Sequence, residues 1–280
     1  MSHNNQKKIA VINDISGFGK CSIAVALPII SHMGIQCCPL PTSIFSNHTG
    51  FDSFYYEDFT GHMEQYINEW KKLDLKFSAI ASGFLGSDMQ IEIVEGFIHY
   101  FKDDNTIIVI DPVMGDNGHA YPTYTKKMCE EMKRLVALAD ILTPNLTEAC
   151  ILTDTPYKHE GWTKSELLEL LEKLNDIGAK KIVITGIHFG NFLGNAIYDD
   201  GKFYIQKQKK AGRFRSGTGD IFSAIIAADA VNGVAFIDSV KKASTFIKRC
   251  IAETEKLDIP LTDGVCFEEL LPKLKRGLLH

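Results

Sequence analysis

The sequence predicts an α/β fold, a single-domain three-layer α/β/α sandwich around a mostly parallel central sheet. Short, nearly continuous apolar runs alternate with stretches of helical periodicity along the chain, the pattern of parallel strands joined by crossover helices. The runs are apolar at successive positions, as strands covered on both faces must be. No internal repeat, Pro/Ser-rich linker or low-complexity tract interrupts the 280 residues, so 1–280 reads as one domain, with residues 1–7 flexible. A hydrophobic content of 45% is enough for a large core.

The elements follow in order. Residues 8–13 read as the first strand, and Gly17-Phe18-Gly19-Lys20-Cys21 as a glycine-rich turn after it. That turn looks like the tail of a P-loop, but Asp14 stands where the first glycine is required and Cys21 where Ser or Thr is required. A Walker-type NTPase is therefore not expected. Residues 21–33 are helical, with Gly34 placed to end the helix. Strands at 77–81, 106–111, 141–143 and 181–185 are interleaved with helices at 88–101, 125–137 and 164–177, the last ended by Gly178. A hairpin of 194–198 and 202–206 turns at Asp199-Asp200-Gly201. A buried helix at 221–231 and two further helices complete the chain.

Composition narrows the function. The formal net charge is −5 with the signs interspersed, which gives nucleic acid no basic block to bind. The longest apolar runs, such as 23–30, are too short to span a bilayer. Residues 1–8 are polar and lack a signal-peptide core, so a cytoplasmic protein is expected. Seven scattered cysteines without CxxC spacing argue against a disulfide framework or a zinc site and read as small buried apolar residues.

In an open parallel sheet, ligands bind beyond the carboxyl ends of the strands. Four such ends carry polar residues: Asn13-Asp14, Asp111-Pro112, Thr143-Pro144-Asn145 and Thr185-Gly186. Ser216-Gly217-Thr218-Gly219-Asp220 runs straight into the apolar helix. Its glycines let backbone N–H groups approach a ligand, and the helix start adds about half a positive charge, which together suit a phosphate. Asp220 beside it could accept a hydroxyl proton; the alternative is an ordinary glycine turn with Asp220 as N-cap. Asp111 and Asp116, five apart at a strand end, are hard oxygen ligands suited to magnesium, or else loop carboxylates in water. Asn145 and Glu148 share one helical face, and the same spacing makes a capping box.

In this order, Asp111-Pro112-Val113-Met114-Gly115-Asp116, Thr143-Pro144-Asn145-Leu146-Thr147-Glu148-Ala149 and Gly217-Thr218-Gly219-Asp220 resemble the ribokinase-like vitamin kinases. Phe45-Ser46-Asn47-His48-Thr49-Gly50 looks specifically like the pyridoxal kinases, and Asp14-Ile15-Ser16-Gly17-Phe18-Gly19 like their pyridoxamine-kinase branch. The resemblance spans from about Ile9 to near Thr254. It implies transfer of the ATP γ-phosphoryl group to the 5′-hydroxymethyl of a B6 vitamer. Asp220 would be the base, with Gly217, Thr218 and Gly219 as the anion hole. Asp111 and Glu148 would organise Mg2+, with Asn145, Thr185 and Asp116 on the ATP phosphate side. Ser16, His48, Thr49 and Phe84 would face the pyridine ring. Many relatives carry Tyr where Phe84 keeps only the ring. The cysteine with which some members trap the aldehyde is absent, its loop reading Asp116-Asn117-Gly118-His119. The resemblance also implies a homodimer. Rival readings are a hydroxymethylpyrimidine (phosphate) kinase, a sugar or nucleoside kinase, and a catalytically silent ligand-binding protein.

Overall fold

In the computed structural model, strand β1 (Lys8–Ser16) lies inside a nine-stranded sheet, flanked by β2 (Gln36–Phe45) and β4 (Ala79–Ser82). The structure describes residues 2–274; Met1 and 275–280, the extremities of the expected domain, lie outside the described residues. β3 (Tyr56–Asp58) closes one edge, and β5 (Ile107–Ile110), β8 (Ile141–Leu142), β9 (Lys181–Phe189), β10 (Phe192–Asp199) and β11 (Lys202–Lys209) continue beyond β4. Neighbours from β2 through β9 are parallel; β3 and the β10–β11 hairpin are antiparallel additions at the two edges. A tiny hairpin of β6 (Gly115–Asp116) and β7 (His119–Ala120) stands apart.

The register positions the site. One row crosses the sheet through Ile12, Ser82, Ile110, Leu142 and Ile182. The residues one step further, Asn13, Gly83, Asp111 and Thr143, therefore emerge together at one edge.

Helices cover both faces, giving the three expected layers. On one side α2 (Thr60–Lys72), α3 (Asp88–Phe101), α4 (Lys126–Val136), α5 (Leu146–Leu152) and α6 (Lys164–Ile177) bury residues such as Met63, Phe97, Met132 and Leu171. On the other, α1 (Ser22–His32), α7 (Thr218–Val231) and α8 (Phe236–Lys256) bury Ile29, Ile225 and Phe246. Burying such apolar area is the main favourable term in folding. Among the described residues no helix is long and apolar enough to cross a membrane.

The differences from expectation have local causes. β1 runs on to Ser16 and β9 to Phe189. β2 was not expected because Pro39 and Pro41 break its apolar run. The chain tolerates them because β3 pairs only with Ser43, Ile44 and Phe45, leaving the proline stretch on an open edge. α2 buries only Met63 and Ile67, too thin a stripe to read. The hairpin strands are longer, and the turn narrows to Asp200 and Gly201, both at positive φ (49° and 75°). Among the described residues only one α-helix, α8, follows α7; Leu261–Asp263 and Glu268–Leu274 are 3₁₀ turns, the second holding Pro272. Residues 2–7 have no strand or helix, yet Asn4 donates to the Asp74 carbonyl and Lys7 to that of Val231.

Candidate active site

The glycine-rich segment forms the start of α7. Gly217 is its N-cap with φ 77°, and Asp220 is the third helical residue, so Asp220 is not the cap. A Cβ on Gly217 would collide with the Lys20 carbonyl oxygen, whereas one on Gly219 would meet nothing within 4 Å. The first glycine lets two loops touch, and the second leaves the helix start open to an incoming group.

Asp220 is partly buried, and Asn13 Nδ2 donates to its Oδ1 at 3.1 Å. Asn13 is itself locked, since its Oδ1 accepts from the backbone N–H groups of Asp14 (2.9 Å) and Phe84 (2.8 Å). Burial raises the Asp220 pKa; the Ser22 N–H, Asn13 and the helix start oppose it. Asp111, only 8% exposed, accepts from Ser223 Oγ at 2.5 Å, and Ser223 also meets Thr143 Oγ1 at 3.1 Å. Burial pushes Asp111 up to about 7, with the Asp220 charge adding to the rise. Asp111, Asp220, Asn13 and Ser223 line one small cavity.

Asn145 and Glu148 form the capping box at the start of α5. Asn145 Oδ1 accepts the Glu148 N–H at 2.9 Å, and Glu148 Oε2 accepts the Asn145 N–H at 2.7 Å. The box does more than cap. Glu148 Oε1 also accepts the Met114 N–H at 3.2 Å, and Asn145 Nδ2 donates to the Gly115 carbonyl at 2.8 Å. α5 is thereby tied to the β6–β7 hairpin, which carries the half-buried Asp116. Glu148 is pushed well above the usual carboxylate range, first by burial and then by Asp111. Thr185 bridges Asn145 in parallel pairing, its N–H on the Pro144 carbonyl at 2.9 Å.

Asp111, Glu148 and the partly buried Asp220 thus lie near an open helix start: burial opposes the ionisation of all three, Asp220 adds to it at Asp111, and Asp111 adds to it at Glu148. Hard oxygen donors short of compensating positive charge fit a divalent cation such as Mg2+. Asp111 and Glu148 are the residues that would hold it.

The expected ring-facing residues are partly committed elsewhere. Ser16 Oγ donates to Asp14 Oδ2 at 2.9 Å. His48 Nδ1 accepts the Gly50 N–H at 3.0 Å, so Nε2 carries the proton to the Thr262 carbonyl at 2.7 Å. With both nitrogens taken, His48 presents a ring face, tilted against Phe51 with ring centroids 4.8 Å apart and closing over Gly19. Thr49 is exposed, and Phe84 packs edge-on against Phe45 and Tyr124. Asp14, Ser22, Ser223 and the fixing role of Asn13 were not assigned from sequence. Asn13-Asp14 was visible as a polar strand end, but Ser223 reaches Asp111 from α7 with no local signal.

His159, Glu160 and His188 form a separate group with ligand atoms within 4.8 Å of one another. Lys210 Nζ lies 3.1 Å from His188 Nδ1. The ammonium sets a positive charge against this group, and burial together with that charge lowers the His188 pKa, which disfavours a cation there.

The phosphomethylpyrimidine kinase family model matches residues 30–262. A Bacteroides thetaiotaomicron protein provisionally named phosphomethylpyrimidine kinase is 38% identical, with a TM-score of 0.95 over 98% of this chain and 96% of that one. Its orthorhombic crystal form contains pyridoxal. The pyridoxal kinase of Dictyostelium discoideum is 26% identical over 90% of this chain and 87% of its own length. The hydroxymethylpyrimidine/phosphomethylpyrimidine kinase of Aquifex aeolicus is 28% identical over 87% and 94%.

Proposed function

Because this chain belongs to the phosphomethylpyrimidine kinase family, we propose that it transfers the γ-phosphoryl group of ATP to the 5′-hydroxymethyl of a B6 vitamer. The observation that carries the reading is Asp220, held by Asn13 in the first turn of α7 directly behind the Gly217–Gly219 backbone.

Phosphoryl transfer asks the protein chiefly to position the reactants and offset charge. Asp220 accepts the proton of the substrate hydroxyl and orients that oxygen. The N–H groups of Gly217, Thr218 and Gly219 face the transferring group as preorganised dipoles. Asn145, Thr185 and Asp116 lie on the phosphate side, around the hairpin that Glu148 anchors. Asp111 and Glu148 are the residues that would hold a magnesium ion, which would supply positive charge to the ATP phosphates.

For the acceptor, Ser46–Gly50 and Phe84 support a pyridine ring: the Phe84 and His48 faces are flat, and the exposed Thr49 hydroxyl is free to meet a ring substituent. The pyridoxal held by the 38%-identical relative supports the same choice. A second reading, phosphorylation of hydroxymethylpyrimidine, is favoured by the family model itself. The proposal extends to a homodimer in the cytoplasm.

The test is ATP consumption with pyridoxal, pyridoxamine, pyridoxine and hydroxymethylpyrimidine under one set of conditions. Turnover confined to hydroxymethylpyrimidine would overturn the B6 reading. Turnover with none of the four would overturn the small-molecule kinase.

A further inference from the structure

Ser22, the first residue of α1, has φ +55°, a left-handed conformation that non-glycine residues rarely adopt. Such conformations persist where the surroundings impose them, and they cluster at functional sites. Here the imposing group is visible. Ser22 Oγ donates to Asp14 Oδ1 at 2.5 Å, while Ser16 Oγ donates to Asp14 Oδ2 at 2.9 Å. Asp14 is 5% exposed, so both its oxygens are engaged and neither is presented to a ligand. The backbone N–H of Ser22 faces the Asp220 carboxylate. The helix starts of α1 and α7 meet here, since Gly217 lies against the Lys20 carbonyl and Cys21. Asn13, the residue before Asp14, donates to Asp220 as well.

We infer that Asp14 is a positioning residue: through Ser22 Oγ it imposes the left-handed backbone that aims the Ser22 N–H at Asp220, and so holds the base in one orientation. Asp220 then has the Asn13 amide as its donor at 3.1 Å with the Ser22 N–H turned toward it, and both depend on the strand end at residues 13 and 14. A buried acid with two serine donors has no other visible task here, because among the described residues it caps no helix and pairs with no cation. The inference rests on Asp220 being the base of the proposed reaction.

The variants Ser22→Ala, Ser22→Gly, Asp14→Asn, Asp14→Asn/Ser22→Gly and Asp220→Asn separate the two ideas, each checked by circular dichroism and assayed with ATP and the best vitamer. Alanine loses the anchor and resists φ +55°, so kcat should fall about tenfold or more, with KM for ATP within about twofold, as for a misplaced catalytic group. Glycine takes that conformation without an anchor and should keep kcat within about threefold of the parent. Asp14→Asn should behave like Ser22→Ala, and adding Ser22→Gly should recover most of the loss. A simple packing role predicts no such rescue. Equal damage from alanine and glycine, or parental kcat in Ser22→Ala, overturns the inference while an inactive Asp220→Asn leaves the base assignment standing. An active Asp220→Asn overturns both. Should Asp14→Asn fail to fold, the alanine–glycine pair at position 22 still decides.

Discussion

At the residue scale, Asp220 combines two demands. Burial holds its proton, while Asn13, the Ser22 N–H and the start of α7 favour the ionised form. A base must be deprotonated to act, and burial that raises its affinity for a proton is set here against donors that favour the carboxylate. Asp220→Asn keeps the shape and the Asn13 contact but cannot accept a proton, so kcat should fall by ~10²–10⁴ with the circular dichroism spectrum unchanged. Near-parental turnover would remove Asp220 from the mechanism. Asp14 gives a separate, thermodynamic prediction. Burial, aided by the nearby Asp220 charge, lifts it from 3.8 to about 6, so the folded chain holds this proton more tightly than the unfolded one. The resulting stabilisation is fully present below about pH 4 and is lost as pH rises through about 6. Asp14→Asn never acquires the charge. Its melting temperature relative to the parent should therefore climb between pH 4 and 7, and a difference that stays constant across that range would contradict the assignment.

At the element scale, the two glycines of the α7 start do different work. Gly217 has φ +77° and lies against the Lys20 carbonyl, whereas Gly219 borders open space. Gly217→Ala should cost roughly 1–3 kcal/mol of stability through strain alone and lower kcat, because the loop and the α1 start must part. Gly219→Ala should leave the melting temperature unchanged and raise KM for ATP, since its methyl enters the space proposed for the phosphates. Equal melting temperatures for the two variants would refute the distinction. These helix ends were legible in the sequence because capping is local. Gly34 and Gly178 both take positive φ where helices stop, and Asn145 and Glu148 close the capping box their spacing allowed. The same spacing could not reveal that Glu148 also grips Met114, a contact 34 residues away. β2 and α2 were illegible for a related reason, one being interrupted by prolines and the other burying too few residues to leave a stripe.

At the scale of the whole molecule, the alternation of runs gave the layers and the strand ends gave Asn13, Asp111, Asn145 and Thr185 as neighbours. Which strands adjoin depends on pairing across the chain, where β1 sits between β2 and β4, and no local pattern carries that. Where the sequence predicts a second closing helix, the chain after α8 runs as loop and 3₁₀ turns, and this segment joins the two halves of the proposed site. Arg215, just before the glycine loop, is 1% exposed and donates Nη1 to the carbonyls of Ile259 (3.2 Å) and Pro260 (2.9 Å) and Nη2 to Glu255 at 3.4 Å. A few residues on, the Thr262 carbonyl holds His48, Gly264 lies against Gly19, and Glu268 pairs with Lys20 at 3.0 Å. The segment thus runs from the anion loop to the proposed ring pocket. Arg215→Met fills much of the volume but leaves the Ile259 and Pro260 carbonyls without their donor and Glu255 with Arg213 alone, and each acceptor left unpaired in the interior costs about 1–3 kcal/mol. For a chain of this size that is a fall in melting temperature of roughly 10 °C. Arg215→Lys keeps the charge and can still donate to carbonyls but lacks the fork that serves the carbonyls and Glu255 together, so it should fall between methionine and the parent. Because the segment supports both sides, KM for ATP and KM for the vitamer should rise together in either variant at a temperature where both are folded. An unchanged melting temperature in Arg215→Met, or a rise in only one of the two constants, would show that the segment is not the brace between the two halves.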